Sequence, residues 1–164
     1  MKALLIGRFQ PFHKGHLQAI KKILKEANEL AIVIGSSQFK NTGENPFSAE
    51  ERLEMIRQAL KEEMISRYQV FKVPDINNDD FYAAHVMKLV PSFDVVYTGN
   101  DLVQRLFKNS GKNVKRISHV RRTSYSGSEI RRRMKEGRRW GHLLPKPVLE
   151  YIKAIDGAER VKKS

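Results

Sequence analysis

The sequence predicts an α/β fold: a Rossmann-like parallel five-stranded sheet with helices on both faces, in a single domain spanning residues 1–164. Three observations carry this expectation. Strand-like apolar runs alternate with helical patterns in the order β-α-β-α-β-α-β-α-β-α, which favours parallel strands joined by crossover helices. The first apolar run passes through a glycine-containing turn straight into the first helical pattern. The length, 164 residues, is enough to bury one sizeable core and leaves little room for a second.

Each element has its own signal. Lys2 to Gly7 (KALLIG) reads as a buried strand. Leu17, Ile20, Ile23, Leu24 and Ala27 recur at helical spacing and predict a helix from about His16 to Asn28. Leu30 to Gly35 is a second strand. Ser48, with Glu51 three residues on, predicts a capping box at the start of a helix whose apolar face is Leu53, Ile56 and Leu60. Tyr68 to Val73 is a third strand, Asp79 to Leu89 a helix, and Asp94 to Thr98 a fourth strand. A short helix follows from Asp101 to Phe107, then a fifth strand from Val114 to Ile117. Ser126 with Glu129 predicts a second capping box, opening a helix to about Lys135. Pro147 to Ile155 is the last helix, with proline near its first turn. The helical segment from about residue 126 is expected to pack on the rest of the domain. The loop from Ser36 to Phe47 is long for an α/β connection, which marks it as functional or mobile. In such a sheet, ligands bind beyond the carboxyl ends of the strands, near the point where strand order reverses.

Composition excludes several classes. Without cysteine there is no disulfide framework, thiolate nucleophile, Cys-ligated zinc or iron–sulfur cluster, and a reducing compartment is compatible. The apolar runs are too short to span a bilayer, and the first residues lack a signal-peptide layout, so a cytoplasmic protein without a membrane partner is expected. The net charge is +13, and residues 108–164 hold 17 basic against five acidic side chains. Such a surplus suits an anionic partner: nucleic acid, a membrane surface or a small phosphorylated ligand. A nucleic-acid-binding module is disfavoured, because helical spacing sends Arg131, Arg132 and Arg133 in different directions and no helix-turn-helix or RNP-like pattern is present. No specific nucleic acid is therefore expected.

The chemistry concentrates where the first strand enters the first helix, in Gly7-Arg8-Phe9-Gln10-Pro11-Phe12-His13-Lys14-Gly15-His16. A helix N-terminus offers unpaired N–H groups and a positive dipole end, which attract phosphate. Gly7 lets backbone approach a ligand, Gly15 keeps the helix start uncrowded, and His13 and His16 stand three apart on one face. The turn matches neither the dinucleotide fingerprint nor the P-loop. Two histidines also fit a metal, although Arg8 and Lys14 beside them would repel a cation.

The stretch GRFQPFHKGH resembles the HxGH signature of the nucleotidyltransferase superfamily, and its Arg-Phe-Gln-Pro-Phe-His form is similar to the archaeal-type nicotinamide-nucleotide adenylyltransferases. Tyr97-Thr98-Gly99-Asn100, followed by Leu102 to Phe107, resembles the family's segment after the fourth strand. Ser126-Gly127-Ser128-Glu129-Ile130-Arg131 resembles its second signature. The likeness runs in order from residue 1 to about 160.

The resemblance implies transfer of AMP from ATP to nicotinamide mononucleotide (NMN), giving NAD and pyrophosphate with Mg²⁺. The acceptor phosphate attacks directly, so no protein nucleophile is needed and no metal site made of side chains is expected. The resemblance makes His13, His16, Arg8 and Arg131 the catalytic set. It gives Gly7, Phe9, Gln10, Gly15, Gly99, Asn100, Ser126 and Ser128 to ATP, and Gly35, Ser36, Ser37, Lys40, Phe81 and Tyr82 to NMN. Tyr82 stands where many relatives carry Trp, and Glu44 where some carry a basic residue, which Lys40 would replace. Two bland readings stay open: Gly99-Asn100 as a turn and helix cap, and Tyr82 as a core aromatic. Asp79 and Asp80 read as metal helpers or as solvated helix-start acids. Transfer to another phosphorylated acceptor (phosphopantetheine, FMN or glycerol phosphate) would use the same HxGH chemistry. The resemblance also implies a homo-oligomer, often a hexamer.

Overall fold

The computed structural model describes residues 1–117 and 125–164. Its five strands, β1 (Lys2–Gly7), β2 (Glu29–Ile34), β3 (Tyr68–Lys72), β4 (Val95–Thr98) and β5 (Val114–Arg116), form one parallel sheet in the order β3-β2-β1-β4-β5. Strand order therefore runs one way from β1 to β3 and the other way from β4 to β5. The reversal, between β1 and β4, is the switch point where α/β sheets bind ligands.

The helices are α1 (Lys14–Glu26), α2 (Ala49–Glu62), α3 (Tyr82–Leu89), α4 (Asp101–Asn109), α5 (Gly127–Glu136), α6 (Lys146–Ala154) and α7 (Gly157–Lys163). None among the described residues is long and apolar enough to cross a membrane. The described residues fall into two compact units. One comprises Met1–Arg8, Ile20–Ser37 and Arg67–Ser118; the other comprises Phe9–Ala19, Gln38–Ser66 and His119–Ser164.

The first unit holds the sheet. Leu4, Ile6, Val33 and Val96 point to one face and pack with Tyr82, Ala83 and Val86 of α3 and Phe107 of α4. The opposite face carries Tyr97, whose hydroxyl donates to the Glu26 carboxylate at the end of α1 at 3.3 Å. Helices thus cover both faces, as right-handed crossovers on either side of a reversal require. In the second unit α2 packs on α6, and α7 packs on α5 and α6.

Several boundaries differ from the sequence reading. Helix α1 starts two residues earlier, at Lys14, because His13 caps it. The helix expected from Asp79 begins as a single 3-10 turn, Asp79–Phe81, with the Asn78 side chain accepting from Asp80 N. The last expected helix ends at Ala154, and a further helix, α7, follows Asp156, whose φ of +53° turns the chain out of the α6 direction.

Candidate active site

Gly7 pairs in register with Ile34, and Ile6 with Thr98, so Arg8 and Gly35 leave the sheet side by side while Gly99 leaves one residue earlier, level with Gly7. Gly35 N–H donates to the Gly7 carbonyl at 2.9 Å. Ser36 is buried with φ +49°, a left-handed conformation unusual for a serine. Its hydroxyl donates to the Asp75 carboxylate at 2.6 Å, and Ser37 N–H donates to the Val73 carbonyl at 3.2 Å. Burial first, and the Asp75 charge second, push the Tyr82 phenol up to about 12, so it remains protonated at neutral pH. Tyr82 lies edge-on to Phe107 at 6.4 Å in the core, whereas its neighbour Phe81 is 63% exposed. Asn100 caps α4, its Oδ1 accepting from Val103 N at 3.0 Å. A side chain at Gly99 would meet nothing within 4 Å, so the backbone there stands open. Arg8 is exposed at the end of β1.

The second unit begins with the turn itself. His13 is the N-cap of α1: its Nδ1 accepts from Gly15 N at 3.0 Å and from His16 N at 3.4 Å. His16, three residues on, returns the bond, its Nδ1 accepting from His13 N at 3.1 Å. This is the geometry of a capping box, built from two imidazoles in place of Ser and Glu. An Nδ1 that accepts carries no proton, so each neutral ring holds its proton on Nε2. The two rings stack at 3.6 Å. His16 also packs against Phe9 at 4.7 Å and Phe12 at 5.4 Å, both fully buried. Phe9 has φ +56°, which bends the chain so that the turn closes over its own ring. Gly15 is required by space: a Cβ there would stand 2.9 Å from His13 Cε1 and 3.0 Å from both His13 Nδ1 and Tyr125 Cβ.

Helix α5 reaches this turn through Arg131, whose Nη1 donates to the Gln10 carbonyl at 2.7 Å. Gly127 makes room for that bond, since a Cβ would lie 2.9 Å from both Arg131 Nη1 and the Gln10 oxygen. Ser126 caps α5 by accepting from Glu129 N at 3.2 Å, and lies 3.4 Å from the exposed Ser128 hydroxyl. The expected reciprocal box does not form. Two arginines one turn on, Arg132 and Arg133, take the Glu129 carboxylate instead, and with burial opposing them they hold it below its ordinary range.

The side chain of Gln10, expected at ATP, is 3% exposed and spans to the next loop. Its amide N–H donates to the Phe47 carbonyl and its oxygen accepts from Phe47 N, both at 2.9 Å. Lys40 is exposed in that same loop, which buried Arg52 reaches through the Phe39 carbonyl at 3.5 Å.

Within the second unit, then, the structure brings together Phe9, Gln10, His13, Gly15, His16 and Arg131. Within the sheet unit it brings Gly7 beside Gly35 and the Ser36–Asp75 pair. Sequence reasoning missed Asp75, whose partner Ser36 is 39 residues away, and the Gln10–Phe47 strap, which spans 37. No local spacing reports such pairs; the one available hint was the unusual length of the loop that ends at Phe47.

Comparison with known proteins agrees with this geometry. Residues 4–133 match the model of the cytidylyltransferase-like family. Curated proteins named nicotinamide-nucleotide adenylyltransferase match over nearly the whole chain. That of Thermococcus sibiricus is 47% identical, covering 99% of this chain and 88% of the relative. That of Archaeoglobus fulgidus is 45% identical, covering 99% and 96%. That of Thermoplasma volcanium is 44% identical, covering 98% and 90%. Among solved structures, a bifunctional NMN adenylyltransferase/ADP ribose pyrophosphatase from Francisella tularensis, complexed with AMP and Mn ion, shares the fold with a TM-score of 0.77 at 23% identity. This chain is covered to 99% but spans only 52% of that longer protein. A histidine-capped helix start in a reversing parallel sheet thus comes with near-full-length kinship, and the chain belongs to the nicotinamide-nucleotide adenylyltransferases of the cytidylyltransferase-like family.

Proposed function

We propose that this protein transfers the adenylyl group of ATP to NMN, forming NAD and pyrophosphate, and so serves NAD biosynthesis. The observation that carries the reading is the reciprocal histidine cap, which fixes two adjacent Nε2–H donors at the positive end of α1. An oxygen of the NMN phosphate bonds to the α-phosphorus of ATP. The bond from that phosphorus to the bridging oxygen breaks, and the electron pair leaves with pyrophosphate. Negative charge builds on the α-phosphoryl oxygens and on the leaving group. His13, His16 and Arg131 are donors preorganised for that charge, and each charge-assisted bond contributes about 1.5–3 kcal/mol. Arg8 serves between the two substrates.

Mg²⁺ enters with ATP as part of the substrate. Phosphate oxygens and water would be its ligands; among the described residues no group of three or more His, Cys, Asp or Glu side chains is placed to hold a metal ion. The Mn ion in the Francisella protein supports a divalent cation. On the acceptor side, exposed Phe81 offers a ring for nicotinamide, whereas Tyr82, expected there, is packed in the core against Phe107, and the Ser36–Asp75 pair offers polar groups for the ribose or carboxamide. A homo-oligomer belongs to the same reading and is checked by mass in solution.

The test is NAD formation from ATP and NMN, run beside phosphopantetheine, FMN and glycerol phosphate as acceptors. NMN is expected to be used with by far the highest kcat/KM. Active transfer to one of the others with none to NMN would overturn the assignment.

A further inference from the structure

We infer that Arg160, on the C-terminal helix α7, is a positioning residue for the phosphate-binding turn, acting through Phe47 and Gln10. Pro46 and Phe47 end the long loop and Ser48 caps α2; Arg160 contacts the first two directly and Ser48 through Glu51. Its Nη1 donates to the Pro46 carbonyl at 3.4 Å, and its guanidinium stands over the Phe47 ring at 5.8 Å. The same nitrogen donates to Glu51 Oε1 at 2.6 Å, the carboxylate oxygen that accepts from Ser48 N at 2.9 Å. Gly157, three residues earlier on the same face of α7, brings the helix backbone against Phe47: a Cβ there would stand 2.9 Å from Phe47 Cε1.

Phe47 is fully buried, and both of its backbone polar groups are bound by the Gln10 side chain. The Gln10 carbonyl, in turn, accepts from Arg131. One residue of α7 therefore fixes the backbone that fixes Gln10, and Gln10 sits between Phe9 and the histidine cap while carrying the Arg131 contact. Phe47 and Gln10 are buried and joined by two bonds of 2.9 Å, so a displacement of Phe47 has little slack to absorb it. Arg160 itself touches none of His13, His16 or Arg131 through these bonds, which makes its role one of placement. Misplacement of catalytic donors by a fraction of an ångström is expensive, since a 1 Å error costs roughly 10²-fold in rate.

This inference rests on the proposed adenylyl transfer for its kinetic readout, and a second readout stands apart from it. Five proteins are compared: wild type, Arg160→Gln, Gln10→Ala, the double variant, and Arg160→Lys as the conservative control. Folding is checked by circular dichroism. Arg160→Gln is expected to lower kcat/KM roughly 10-fold. Arg160→Lys, which keeps the charge on Glu51 but loses the planar stack on Phe47, is expected to recover to within about 3-fold of wild type. The double variant should be no slower than Gln10→Ala alone, because both act on one path. Independently of activity, Arg160→Gln should move the ring ¹⁵N resonances of His13 and His16. A folded Arg160→Gln with wild-type kinetics and unmoved histidine resonances would overturn the inference, as would strict additivity with Gln10→Ala. If Arg160→Gln fails to fold, Arg160→Lys is read in the same two ways, a small loss with shifted resonances supporting the inference and none opposing it. Should the wild type transfer to no acceptor, the proposed function fails while the resonances still decide the positioning role.

Discussion

Helices α1 and α2 begin with the same hydrogen-bond geometry and different side chains. At α2, Ser48 Oγ accepts from Glu51 N at 3.1 Å and Glu51 returns the bond to Ser48 N at 2.9 Å. At α1, His13 and His16 exchange the corresponding pair of bonds. The α2 box is an end in itself: its carboxylate is committed to backbone and to Arg160. The α1 box satisfies the backbone through Nδ1 of each ring, which places Nε2 on the side away from the capped amides. A Ser/Glu box would cap α1 equally well and, under the function proposed above, would put a carboxylate beside the triphosphate. In that proposal the histidines serve the cap and the substrate with the same two rings, and Gly15 is the small residue that makes room for them.

The comparison breaks most visibly at His16. His16→Asn keeps an acceptor at the Nδ1 position and removes the Nε2 donor. Turnover should fall roughly 10²–10³-fold, as for loss of one oxyanion donor, while the thermal midpoint stays close to wild type. Equal losses in both would make His16 a capping residue only. Gly15→Ala attacks the same box by crowding, with the new methyl 2.9 Å from His13 Cε1. Overpacking of this kind costs about 1–3 kcal/mol, and the shifted rings should lower kcat as well; denaturant unfolding and steady-state rates check the pair. Ser48→Ala removes the α2 cap, and about 1 kcal/mol of stability should go with it, with kcat changed by less than about 2-fold.

The smallest expected effect is on the acid limb of stability. Burial alone would raise the Glu51 carboxyl, but the Arg160 hydrogen bond, the Ser48 N–H and the Arg160 charge outweigh it and hold it below its ordinary 4.5. The folded protein therefore binds this proton more weakly than the unfolded chain. The contribution is complete above 4.5 and is lost as pH falls through the lower folded value. Glu51→Gln should flatten that part of the Tm–pH curve; an unchanged curve would remove Glu51 from the acid response.

What was legible from sequence follows physical range. The inner strands were readable because β1, β2 and β4 carry continuous apolar runs, as in Leu4-Leu5-Ile6 and Ile32-Val33-Ile34, and buried strands of a parallel sheet need little else. The Ser48 cap was readable because both partners lie within four residues. The Ser126 box was only half right, since Arg132 and Arg133 compete for Glu129 at the same short range. Helix α7 was missed because its boundary depends on one left-handed residue, Asp156, that carries no glycine signal. The histidines and Arg131 were singled out by pattern, but their arrangement was not legible. Which ring nitrogen faces the backbone, and that Gln10 ties the turn to Phe47 rather than standing open, depend on contacts made across the fold. Arg160 and Glu51, 109 residues apart, belong to the same class.

The proposed adenylyl transfer requires that the backbone hold both imidazoles as Nε2–H donors toward phosphate. Ring ¹⁵N spectra of the histidines, recorded at pH 8 with and without a non-hydrolysable ATP analogue, test it most directly. His13 and His16 should both show an unprotonated Nδ1 and a protonated Nε2 in the free protein, and their Nε2 resonances should shift on adding the analogue. An Nδ1–H tautomer at either ring, or two rings indifferent to the analogue while it is bound, would contradict the account.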